Sequence, residues 1–66
     1  MEPKYPNVHV KLTGQNGNAF MILGLCNRAA RKAGLSQEVR DQFMAEATAG
    51  SYDHLLQTAM RWFTIE

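Results

Sequence analysis

The sequence predicts a single small α+β domain with the order β-α-α-α-β, three helices packed on a two-stranded sheet. Three observations carry this. Val8, Val10 and Leu12 alternate with His9, Lys11 and Thr13, the period of a strand with one buried face. Three apolar stripes of helical spacing follow, each behind a capping residue and the first two ended by a glycine. The chain then closes on Trp62-Phe63-Thr64-Ile65, an aromatic and β-branched run suited to a strand.

Each element has a local cause. Residues 1–7 hold Pro3 and Pro6 and read as an extended lead-in to a domain over 8–66. After the first strand, Gly14-Gln15-Asn16-Gly17 permits a tight reversal. Asn18 caps the first helix, with Ala19, Ile22, Leu23, Cys26, Ala30 and Ala33 on its core stripe. Gly34 ends it. Ser36 caps a second helix over about Gln37 to Ala49, with Val39, Phe43 and Ala47 inward and Gly50 as the stop. Ser51 caps a third, whose core face is Tyr52, Leu55, Leu56 and Ala59.

Size and composition narrow the function. A chain of 66 residues buries only about 60% of its unfolded surface. The net charge of +1 excludes a strongly basic coat for nucleic acid and an acidic DNA mimic. The one cysteine, Cys26, excludes an intramolecular disulfide and fits the core stripe as a small hydrophobe. His9, His54 and Cys26 lack metal-ligand spacing, and no cofactor motif is present, so neither metal nor cofactor is expected. No apolar run reaches the roughly 20 residues of a membrane span, and no membrane partner is expected. A small core of this kind is commonly extended by self-association, so a homo-oligomer is expected.

The first helix has more apolar groups than one stripe uses. Met21 and Leu25 share a row with Arg28 and Lys32; Phe20 and Gly24 share one with Asn27 and Arg31. Phe20, Met21, Gly24 and Leu25 therefore form the expected subunit interface, unless they are simply exposed apolar surface. Gly24 within a helix costs about 1 kcal/mol against alanine, which close approach of another backbone would offset.

Two features point to anion recognition. The amides around Gly17 and Asn18 lead into a helix N-terminus, which favours negative charge; the stretch is otherwise a turn. Arg28, Arg31 and Lys32 form a cationic helix end, suited to phosphate or to complementing the helix dipole. Asn18 and Arg28 lie about 15 Å apart along the helix, so they flank one ligand only if it is large or shared between subunits. Tyr52 and Trp62 are available for base stacking, though the spacing also places Tyr52 in the core. Asp53 and His54 are adjacent, but neighbours on a helix point apart and no nucleophile, base and oxyanion site is assembled. No catalytic residue and no enzyme activity is expected.

The chain resembles a family of very small phage and prophage proteins. The resemblance runs from Val8 to Ile65, through the strand ending at Leu12, Gly14, Gly17-Asn18-Ala19-Phe20, the basic end with Ala33-Gly34, Phe43-x-x-Glu46-Ala47, Gly50-Ser51-Tyr52-Asp53-x-Leu55-Leu56 and Trp62. Ser51 stands where the pattern has an acidic residue, and Phe63 where it has a small β-branched one. The resemblance implies an accessory, anti-defence role in the cytoplasm of an infected or lysogenic bacterium. By analogy it implies a non-enzymatic sponge that binds a cyclic dinucleotide or an ADP-ribose-type signal at a subunit interface. The alternative is a module that docks directly on a host protein. A nucleic-acid polymer is not an expected partner.

Overall fold

The computed structural model describes residues 2–12, 14 and 17–66. Its order is β1 (Tyr5–Val10), α1 (Ala19–Lys32), α2 (Gln37–Ala47), α3 (Tyr52–Trp62) and β2 (Phe63–Ile65). This is the expected α+β sequence of elements. The two strands are the first and last elements, and they pair in parallel. Parallel neighbours require a crossover connection, and here all three helices form it.

Asn18, Ser36 and Ser51 cap their helices as expected. Each side-chain oxygen accepts from the backbone N–H three residues on, at 2.7, 3.2 and 3.3 Å. Gly34 takes φ +93, and the α1 terminus closes with Gly34 N–H on Arg31 O and Leu35 N–H on Ala30 O. That pair of bonds satisfies carbonyls which a helix end otherwise leaves open. Helix α2 stops at Ala47, two residues short of the expected end. The Thr48 hydroxyl donates back to Met44 O at 2.7 Å, and Ala49 N–H turns to Glu46 O.

The first strand differs from its expectation in extent. It starts at Tyr5, inside the stretch read as a lead-in, and ends at Val10 rather than Leu12. Tyr5 pairs with Phe63, His9 with Thr64 and Val10 with Ile65, with an irregularity between Tyr5 and His9. Pro6, which has no N–H, falls in that irregular stretch, where the Thr64 hydroxyl donates to its carbonyl at 2.8 Å. Leu12 continues the pairing beyond the strand through its N–H to Glu66 O.

The core joins Val8 and Val10 to Ile22, Cys26 and Ala30, to Phe43 and Ala47, and to Leu55, Ala59, Trp62 and Phe63. Three expected core positions fall elsewhere: Ala19, Ala33 and Tyr52 are exposed. Thr58, not expected inside, is fully buried and donates to His54 O at 2.8 Å. A buried hydroxyl is accommodated because a helical carbonyl four residues back accepts it. Phe43, Trp62, Phe63 and Tyr5 form an aromatic cluster, with Phe43 and Phe63 centroids 4.9 Å apart.

Candidate functional site

Helix α1 turns Ile22, Cys26 and Ala30 inward, with Leu23, Leu25 and Ala29 half-buried beside them, so Phe20, Met21, Gly24 and Arg28 lie on its exposed side. Asn18, Phe20, Met21, Gly24, Leu25 and Arg28 line an open groove of about 440 Å³ along that outer face. Phe20 is 88% exposed and Met21 40%. The groove thus joins all four expected interface residues to Asn18 and Arg28 of the expected ligand set. Asn18 stands at its N-terminal end, with its Oδ1 committed to Met21 N–H. Arg28 stands at the other.

Beyond Arg28 the surface becomes cationic. Arg28 and Lys32 line a second cavity, of about 280 Å³, together with His9, Val10, Lys11, Leu25 and Ala29. Among the described residues, no carboxylate lines either cavity. Sequence reading placed Arg28 and Lys32 in a basic cluster on one helix. It missed Lys11, which only the packing of β1 beside α1 brings to them. The alternation of His9 and Lys11 on one strand face was the available signal. His9 is exposed as expected, and its Nδ1 lies 3.0 Å from Glu66 Oε1. Arg31 is exposed but lines neither cavity.

Tyr52 is 45% exposed, and its hydroxyl donates to the Gly17 carbonyl. This bond ties the start of α3 to the segment leading into α1, so Gly17 and Tyr52 are one unit. Gln15 and Asn16 of the expected anion-facing loop, and Thr13 of the expected strand alternation, lie outside the described residues.

Trp62 is a correction. It was expected to offer a stacking face, but it is only 4% exposed and belongs to the core. Its Nε1–H donates to Glu46 Oε2 at 2.7 Å, and the Lys4 ammonium lies over the ring at 4.3 Å. The aromatic tail needed a large inward residue where α3 meets β2, and Trp62 fills that role. Around it, Lys4, Glu46, His54 and Arg61 line a cleft of about 310 Å³. These residues come from three parts of the chain: Lys4 precedes β1, Glu46 lies on α2, and His54 and Arg61 lie on α3, where their seven-residue spacing was the available signal. His54 Nε2 lies 2.8 Å from Glu46 O and 3.4 Å from the Thr58 hydroxyl, so the imidazole is held by structural bonds. Asp53 instead accepts from Gln57.

Cys26 is fully buried, and burial pushes its thiol from 9.0 up to about 12. A thiol held neutral in the core is not a nucleophile at ordinary pH. Among the described residues, no group of three or more His, Cys, Asp and Glu gathers as a metal site, and no helix is long and apolar enough to cross a membrane. Comparison with known proteins finds no matching family model, curated protein or solved structure.

Proposed function

We propose that this chain is a non-enzymatic accessory protein of a phage or prophage, which sequesters a phosphate-containing nucleotide signal at a subunit interface in the host cytoplasm. One observation carries the reading. The apolar groove of α1 runs at Arg28 into a patch holding Lys32 and Lys11; among the described residues no carboxylate lines either part, and Glu66 meets the patch by pairing with His9. A nucleotide has a comparable division, the flat π face of its base and, apart from it, anionic phosphates. Phe20 and Met21 offer surface to the base, and guanidinium and ammonium groups offer hydrogen bonds and charge to the phosphates. The resemblance to small phage proteins supports the anti-defence setting.

Calorimetry against a panel of cyclic dinucleotides and ADP-ribose species tests this. The expected result is one ligand bound below about 10 μM, roughly −7 kcal/mol, and recovered chemically intact. Arg28→Ala should weaken it about tenfold or more. No binding across the panel, or turnover of the ligand, overturns the reading.

A second reading, docking on a host protein, is favoured by the 88% exposure of Phe20. It predicts that Leu25→Asp abolishes a purified stoichiometric complex while Arg28→Ala leaves it largely intact.

A further inference from the structure

The outer face of α1 needs an occupant, and the chain itself carries a face of matching chemistry. The α1 face is apolar in its N-terminal half, with Phe20 and Met21, and cationic in its C-terminal half, with Arg28, Arg31 and Lys32. Helix α1 contains no carboxylate, and among the described residues none of these three cations forms an ion pair. The outer face of α3 has the opposite layout. Asp53 lies in its first turn; Leu56 is half-buried and Met60 is 55% exposed farther along. The carboxylate of Asp53 accepts from Gln57 and, among the described residues, meets no cation.

We infer that α1 of one copy packs antiparallel on α3 of a second copy, with Arg28 against Asp53 and Met21 against Met60. The antiparallel direction brings the cationic half of one helix to the acidic half of the other, and the two apolar halves together. It also sets the negative end of α1 beside the positive end of α3. The spacings match: Met21 to Arg28 and Asp53 to Met60 are each seven residues, about 10 Å along the axis. Gly24 lies between the two contacts on α1, and a Cβ there meets nothing within 4 Å in its own chain. Its bare backbone lets the second helix approach closely. The outer face of α2 is a poorer match. Glu38 and Asp41 supply charge, but Gln37, Gln42 and Ala45 give Phe20 little to pack against. Because α1 and α3 are different surfaces, the contact is heterologous and each copy retains one free face of each kind until the assembly closes.

This rests on the subunit-interface part of the proposed function and refines it: α3 of the second copy takes the groove at Met21 and Gly24, which leaves the nucleotide the cationic cavity of Lys11, Arg28 and Lys32 at the edge of that contact. Light scattering without nucleotide should give a mass several times 7.4 kDa. Asp53→Arg should weaken association about tenfold, and adding Arg28→Asp should restore it. Disulfide trapping supplies a readout that does not depend on a loss of stability. Chains with Met21→Cys, mixed with chains carrying Met60→Cys and oxidised, should yield the mixed 21–60 product above either same-position product. Cys26 is buried and stays out of the reaction. A monomeric chain, a dominant 21–21 or 60–60 product, or an assembly indifferent to Asp53→Arg overturns the pairing. A monomer that still binds a nucleotide sinks this inference and the subunit-interface placement but leaves sequestration standing, and an assembly that binds none sinks only the sequestration reading.

Discussion

Single residues in this protein are decided by what they touch. Cys26 keeps its proton because water cannot reach it, and this has a consequence at high pH. The folded thiol titrates at about 12, against 9.0 ordinarily, while the unfolded chain ionises at the lower value. Its contribution to stability is therefore complete below pH 9 and is lost as pH rises toward 12. The slope approaches about 1.4 kcal/mol per pH unit. Denaturant melts of the wild type and Cys26→Ala across that range should diverge accordingly, with the wild type falling faster. Glu46 has the opposite character, an exposed carboxylate whose value lies in one buried partner. Glu46→Ala leaves the Trp62 Nε1–H without its acceptor and should cost about 1–3 kcal/mol, while Glu46→Gln should recover most of that. Chemical denaturation of both variants checks it. At Gly50, an added Cβ would meet His54 Cγ at 3.0 Å and Cβ at 3.1 Å. Those atoms are near the backbone and cannot swing away freely. Gly50→Ala should cost about 1 kcal/mol or more, read from the melting temperature.

The elements are set largely by their ends. Three polar caps and Gly34 divide the helical stretch into α1, α2 and α3, and all four were readable from residue type and spacing. Gly34→Ala should cost about 1 kcal/mol, because φ +93 crowds a Cβ and the two closing bonds of α1 depend on that turn. A thermal melt with helical circular dichroism as the signal measures it. Ser51 and Phe63 also act at this scale. Ser51 keeps a side-chain oxygen for the His54 N–H, as an acidic residue there would. Phe63 packs against Phe43 and Tyr5, which gives the short β2 strand an aromatic anchor.

At the scale of the molecule, the first seven residues are the clearest test. Proline content reads as a lead-in, yet Tyr5 pairs with Phe63 and packs on Trp62, and Lys4 N–H donates to Arg61 O. Deleting residues 1–7 should therefore remove several kcal/mol, enough to unfold a domain of this size. A lead-in would leave the melt unchanged. The candidate site shows the same division. The groove residues Phe20, Met21, Gly24, Leu25 and Arg28 were legible because one helix carries them all and its period separates outer from inner positions. Lys11 beside Arg28, and Lys4 and Glu46 beside the α3 residues His54, Arg61 and Trp62, were not, since distant segments bring them there.

The sequence by itself determined the element order, the caps, the glycine stop of α1 and the surplus apolar face of that helix. These follow from contacts within a few residues, where side-chain size and backbone geometry leave few choices. Only the tertiary structure decided that β1 and β2 run parallel, that the first strand begins at Tyr5 and that Trp62 belongs to the core. Such outcomes depend on which surfaces meet after some fifty residues of intervening chain. Local period reports the face a side chain takes on its own element and is silent about the element that arrives to cover it.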